Sequence, residues 1–327
     1  MISSLKRPLF IIVFGAVCIG VGWLIHLPAG VGFSSELRLN SGTYTNPLLE
    51  CDIAQGAINA EKQNFQDDLN TFVLNEEAAK RLDDTGVYFR DLNNGPSFGV
   101  NSSHEFVPAS VLKVPVMMSY YKWAETTPGV LDQTIALTNA NVLPAQLGDV
   151  PENEALTVGK TYTVEALINQ MIRYSDNQAL TLLFYKIPLD QQTALYSDVG
   201  IDPAIISDPN AQVSVKQVSA FFRILYNASF LTQADSEKAL KLLTTTVYDD
   251  GLRAGVPNAI EIAHKFGVRP LDDGSTELHD CGIVYYPKHQ YLLCVMTRGR
   301  SEDSLASAIK DISAFVYKEI DDQYGGK

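Results

Sequence analysis

Ser110-Val111-Leu112-Lys113, Ser175-Asp176-Asn177 and Lys265-Phe266-Gly267 follow one another along a chain of 327 residues, and read together they decide the fold. The first places a hydroxyl and an amine three residues apart, on one face of a helical turn. The second adds another hydroxyl and a carboxamide. The third sets a cation and a glycine in a stretch of strand-like composition. Separations of 65 residues (110 to 175) and 90 residues (175 to 265) leave room for a helical region between the motifs. Ser-x-x-Lys alone carries little weight, because it recurs at Ser3/Lys6, Ser119/Lys122 and Ser307/Lys310. Only Ser110 precedes both other motifs and stands where a loop, His104 to Ala109, enters an apolar helical pattern.

Working outward, Phe65, Leu69, Phe72, Val73 and Leu82 repeat at helical spacing within 57–83, and a hairpin is expected over 86–101. From 105 to about 248 the chain reads as mainly helical. Thr163 is placed to cap one helix, and Ser214-Val215-Lys216-Gln217 is a capping box opening another. Three β-like runs follow at 259–266, 277–286 and 291–298. Leu305, Ile309, Ile312, Val316 and Ile320 then mark a final amphipathic helix. Strands at both ends with helices between and around them imply an α+β domain. Its antiparallel sheet is covered by the terminal helices, and an all-helical lobe is inserted.

A competing serine lies in Gly95-Pro96-Ser97-Phe98-Gly99, which fits the nucleophile elbow of another hydrolase class. That elbow needs a strand before it and a helix directly after it. Here Asn93-Asn94-Gly95 is a turn signal between two short β-like runs, so Ser97 reads as part of a hairpin.

The three motifs, in this order, supply what amide cleavage through an acyl-serine needs. They resemble the S-x-x-K, S-D-N and K-T-G elements of class A β-lactamases and low-molecular-weight penicillin-binding proteins. The resemblance covers roughly residues 57–322, and Arg253-Ala254-Gly255-Val256-Pro257 looks like a turn of the same family. It implies a β-lactamase-like fold with the cleft between sheet and helical lobe. It also implies that Ser110 is the nucleophile, Lys113 its base, Ser175 a proton carrier to the leaving nitrogen and Lys265 the cation orienting that hydroxyl. Asn177 and the strand residues Gly267, Val268 and Arg269 would bind substrate, with Val268 N–H as second oxyanion donor. Burial and the neighbouring Lys265 are both expected to lower the pKa of Lys113.

Two departures stand out. Phe266 replaces the threonine of K-T-G and cannot bond a substrate carboxylate, which leaves Arg269 or Arg253 as candidates for that charge. Class A enzymes also hydrolyse their acyl-enzyme with a loop glutamate, yet residues 178–236 contain none. The loop 187–213 offers only Asp190, Asp198, Asp202 and Asp208. Pro115 predicts a tight or kinked start to the helix after Ser110.

At the other end, residues 9–25 are apolar and uncharged behind Lys6 and Arg7, just long enough to cross a bilayer. The expected organisation is a cytoplasmic tail (1–7), a transmembrane anchor or signal (8–27), a stalk (28–56) and a serine hydrolase domain (57–322). The cationic end stays cytoplasmic, so the domain would face outward. Cleavage would make the protein secreted. A net charge of −13 argues against nucleic acid as a partner. Of the cysteines outside the anchor, Cys51, Cys281 and Cys294, no spacing suggests a metal site. Cys281 and Cys294 read as small buried hydrophobes, and His264 as structural. No cofactor is expected. The expected partners are a β-lactam or a peptidoglycan peptide, and the membrane through the N-terminal helix. The expected activity is acyl-serine formation with slow deacylation. A DD-peptidase or transpeptidase is one alternative, and a non-catalytic sensor of wall fragments is another.

Overall fold

The computed structural model describes residues 42–47, 60–93, 97–143 and 150–325. The expected anchor lies outside them. Among the described residues no helix is long and apolar enough to cross a membrane.

Helix α1 (Ala60–Ala78) leads into strands β1 (Asp84–Asp91) and β2 (Ser97–Val100), which pair as the expected hairpin. Ser97 lies opposite Arg90 within that pairing, with no helix after it, so the elbow reading fails on topology. A two-residue strand β3 (Glu105–Phe106) and a 3-10 turn (Ala109–Leu112) carry the chain into α2 (Lys113–Thr126). The helical lobe then runs through α3 (Val164–Arg173), α4 (Asn177–Phe184), α5 (Leu189–Asp198), α6 (Val215–Tyr226) and α7 (Gln233–Leu243). Short strands β4 (Thr134–Ala136) and β5 (Thr161–Thr163) pair with each other, and β6 (Val213–Ser214) pairs with β3. Thr163 caps α3 through its side chain, and Ser214 with Gln217 forms the full capping box of α6.

The chain returns to the sheet in β7 (Ile262–Pro270), β8 (Thr276–Val284) and β9 (Tyr291–Gly299), and ends in α8 (Glu302–Tyr324). Sheet order is β2-β1-β9-β8-β7, antiparallel throughout. Strand side chains alternate between the faces. Val87, Phe89, Leu278, Leu293 and Val295 pack with Leu69, Leu305, Ile309 and Val316 of the terminal helices. Tyr88, Ile283, Leu292 and Met296 join the larger core of the helical lobe. Both faces are covered, so these strands read as continuous apolar runs.

The strand expected over 259–266 runs on to Pro270, which places Lys265 through Arg269 on one extended edge. The cysteine expectation needs correction. Cys281 and Cys294 stand opposite each other in the β8–β9 register and form a disulfide. Directly opposed positions on antiparallel strands bring Cβ atoms within about 4.5–5.5 Å, and the two apolar runs gave no sign of that register.

Residues 42–47, read from sequence as stalk, lie on the domain surface. Glu237 of α7 accepts from Tyr44 N at 2.9 Å and from Thr45 N and Thr45 Oγ1 at 2.7 Å each. Tyr285 donates to the Tyr44 carbonyl at 3.2 Å, with the two rings edge to face at 5.3 Å. Asn46 N donates to the Tyr226 carbonyl at 2.8 Å.

Candidate active site

Ser110 occupies the 3-10 turn rather than an α-helix, and α2 begins only at Lys113. Pro115 follows as the third residue of α2, where its missing N–H removes at most one bond to the preceding turn. The residue before the serine, Ala109, has φ +48°, a left-handed conformation uncommon for a side-chain-bearing residue. Ser175 is likewise at φ +55°. Two of the three motifs therefore present their serines from strained backbone, a feature that clusters at functional sites.

Lys113 joins the first two motifs. Its Nζ donates to the Ser175 carbonyl, to Ser175 Oγ at 3.1 Å and to Asn177 Oδ1 at 2.8 Å. Burial strips water from the ammonium and pulls its pKa down to about 7, against the opposing pull of the Asp176 carboxylate. Asp176, not Asn177, is the cap of α4, accepting from Gln178 N and Ala179 N. That frees the Asn177 amide to face Lys113. Sequence reading missed Gln178, which is buried and ties the 141–143 segment to α4. It accepts from Leu143 N at 2.7 Å and donates to the Asn141 carbonyl at 3.0 Å.

Lys265 on β7 is fully buried and its pKa falls well below the ordinary lysine range. Burial is the main cause; the charge of Lys113 adds to it, and Asp280 opposes both. For Lys113 the leading cause is burial, the first of the two expected from the sequence. Its Nζ donates to the Phe266 carbonyl at 3.0 Å, not to Ser175 as the family pattern implied, and sits 4.2 Å from the centre of the Phe266 ring. Phe266 stacks on Tyr248 at 4.0 Å and 14°. Beyond that pair lies a cavity of about 300 Å³ lined by Asp249, Asp250, Glu302 and Asp303 as well as the two rings. His264 is structural, as expected: its Nδ1 meets Asp280 at 2.9 Å inside the sheet.

Gly267 closes the gap between β7 and the serine turn. A Cβ built on it would stand 2.8 Å from Ser110 N. Arg253 commits its guanidinium to the carbonyls of Val256, Pro257 and Ile260. Arg269 donates through Nη2 to Asn210 at 2.9 Å, and its Nε is buried without a partner among the described residues. The loop after α5 therefore crosses the end of the Lys265 strand. The acids of residues 187–213 do not face inward: Asp190 and Asp198 of α5, and Asp202 and Asp208 of the loop after it, are all exposed. Asp202 caps the 3-10 turn Pro203–Ile206 and Asp208 accepts from Asn210 N.

The other Ser-x-x-Lys matches fall away. Ser119 bonds the Pro115 carbonyl inside its own helix, while Lys122 pairs with Glu125. Ser307 accepts from Arg81. Ser3 and Lys6 lie outside the described residues.

Solved structures share this architecture. PBP-A, in a mutant form described as an acyl-enzyme complex with penicillin G, superposes with a TM-score of 0.66 at 20% identity, covering 80% of this chain and 97% of its own. The class A β-lactamase of Mycobacterium abscessus gives 0.65 at 21% identity, covering 78% and 99%. A β-lactamase from Chitinophaga pinensis gives 0.67 at 20% identity, covering 80% and 99%. No curated protein matches the chain. At such identities the structures speak for the fold alone. The profile of the Beta-lactamase enzyme family, however, matches residues 64–320, which span all three motifs. The chain belongs to the Beta-lactamase enzyme family.

Proposed function

We propose that this protein is an active-site-serine acyl enzyme that opens β-lactam or D-Ala-type amides through Ser110 and releases the acyl group slowly. The observation that carries the reading is the Lys113 cluster: a buried amine with a pKa near 7 bonded to both Ser175 and Asn177. A base poised near the operating pH is what proton removal from a serine requires.

The Ser110 hydroxyl attacks the amide carbon and its proton passes to neutral Lys113. The developing oxyanion is met by the N–H of Ser110 and that of Val268, the residue after Gly267. Ser175 then delivers a proton to the departing nitrogen as the C–N bond breaks. Asn177 binds the amide on the acyl side. Arg269 supplies charge to a substrate carboxylate, since Arg253 is committed to its own loop and the cavity beyond Phe266 is lined with like charges. Deacylation is slow because no glutamate is available from 178 to 236 and the four aspartates of the loop face solvent.

A DD-peptidase or transpeptidase is the second reading, favoured by the same lack of a deacylating base. A non-catalytic sensor of wall fragments is favoured only by the Phe266–Tyr248 stack over the K-x-G position. Intact-mass spectrometry of the full chain with a penicillin, followed over time, tests the reading. A lasting adduct supports slow release, which the proposed enzyme and a peptidase share; a fleeting adduct points to a true β-lactamase and no adduct to the sensor.

The proposed location is the outer face of a membrane, through residues 8–27 and a stalk from 28, with 1–7 inside. If residues 8–27 are instead removed as a signal, the protein is secreted. The Cys281–Cys294 disulfide supports either outcome, because such bonds persist in oxidising compartments. A reporter active only outside the cytoplasm, fused at residue 327, tests it. Signal together with resistance of the chain to carbonate extraction supports the anchor.

A further inference from the structure

Two buried polar side chains of β8 take hold of the chain just ahead of Ser110. Glu277 Oε2 accepts from Val107 N at 2.9 Å, and His279 Nε2 meets the Val107 carbonyl at 2.9 Å. Thr297 N donates to His279 Nδ1 at 3.3 Å, which fixes the tautomer with its proton on Nε2, facing Val107. The other oxygen of Glu277 accepts from Arg298 Nε and Nη2 at 2.9 and 2.7 Å, so the carboxylate cannot swing away. Residues 277 and 279 share one face of the strand, and both are fully buried.

Only Pro108 and Ala109 separate this clamp from Ser110. The Pro108 ring fixes its φ, observed at −69°. Ala109 follows in the left-handed region, a conformation that persists only when the surroundings over-determine it. An apolar pair would seal this part of the core without the desolvation cost of a carboxylate. What the polar pair adds is a fixed position for both backbone groups of one residue.

We propose that Glu277 and His279 are positioning residues for the nucleophile: by holding Val107 at both its N–H and its C=O they keep the Ala109 turn in the form that aims Ser110 into the cleft. The proposal rests on the acyl-serine reading above and adds two residues that none of the three motifs contains.

His279→Gln, His279→Leu and, as a control, Ser313→Ala are made in the full chain. Glutamine can still donate to the Val107 carbonyl, whereas leucine cannot. Ser313→Ala removes a buried hydrogen bond to the Leu252 carbonyl in the other core layer. Amide exchange over residues 105–112 and the rate constant of acylation by saturating penicillin are measured at matched loss of Tm. In His279→Leu, exchange should quicken at least about tenfold. Acylation should slow roughly ten- to a hundredfold with the half-saturating concentration little changed, as expected of a misplaced nucleophile. His279→Gln should recover most of both, and Ser313→Ala should alter neither. If His279→Leu does not fold, Glu277→Leu carries the same comparison, with Glu277→Gln, whose amide oxygen can still accept from Val107 N–H, as its conservative partner. Unchanged exchange over 105–112, equal loss in Ser313→Ala, or glutamine no better than leucine overturns the proposal. If the parent protein is never acylated, the acyl-serine reading fails, while the exchange measurement needs no substrate and still decides the clamp.

Discussion

Gly267 and Ser110 meet backbone to backbone: a single added carbon on Gly267 would lie 2.8 Å from the Ser110 nitrogen and 3.1 Å from that of Val111. Gly267 has no positive φ, so its value is clearance rather than conformational freedom. The atoms it would strike are two backbone nitrogens and the Cβ of Ala109, none of which can rotate aside.

Gly267→Ala should therefore push the serine turn and the β7 edge apart. Overpacking of this kind typically costs about 1–3 kcal/mol of stability. A displacement near 1 Å at the reacting group is expected to slow acylation by roughly 10²-fold. Thermal unfolding and a penicillin acylation time course measure the two effects. Wild-type acylation in this variant would mean the turn is not held against the strand.

Ser110→Ala should abolish labelling by a fluorescent penicillin. Ser97→Ala and Ser119→Ala should retain it, since one lies in a hairpin and the other bonds its own helix. A label that depends on Ser97 or Ser119 moves the site.

Lys113 binds its proton more weakly in the fold, near 7, than the ~10.4 of free lysine. In the proposed reaction the neutral amine is the working form, so acylation should rise with pH through about 7 and level off above it. Lys113→Ala should lose both the rise and most of the rate. The linkage has a matching sign. Between about 7 and ~10.4 the unfolded chain holds a proton on this lysine that the folded one has released, so its contribution to stability grows as pH rises through that window. Stopped-flow acylation from pH 5 to 9, with unfolding at pH 6 and 9, checks both signs. A flat rate profile rules out Lys113 as the base.

Replacing both Cys281 and Cys294 by alanine should cost about 2–4 kcal/mol, the usual range for a native cross-link. Protein made in a reducing cytosol should show the same loss and expose two more thiols to alkylation after denaturation than the oxidised form. Equal melting of the oxidised and reduced forms would leave the pair without a stabilising role.

Much of this was legible in the sequence. The hairpin at β1 and β2, the capping residues Thr163 and Ser214, the three late strands and α8 follow from local patterns that tertiary packing reinforces. The cluster of Lys113, Ser175 and Asn177 was legible because motif order constrains topology. The 3-10 turn at Ser110 was foreshadowed by Pro115 alone. Other features depend on register between distant strands, which no local pattern records. Cys281 faces Cys294 only once β8 and β9 are aligned. Glu277 and His279 reach Val107 across about 170 residues of chain. The pairing of Lys265 with the Phe266 carbonyl and ring likewise reflects side-chain packing that a K-x-G pattern does not specify.

The short strap at 42–47 bears on where the enzyme can be cut. A recombinant version trimmed to residue 57, at the apparent edge of the domain, would strip Glu237 of its donors from Tyr44 and Thr45. It would also uncover the face of Tyr285 and leave its hydroxyl, and the Tyr226 carbonyl, without their present partners. A carbon on Gly42 would land on the Glu237 carboxylate, so a side chain there would push aside the group that holds the strap. A form that begins at residue 57 is therefore expected to melt below one that begins at or before Gly42, and equal melting of the two would leave the strap without a stabilising role.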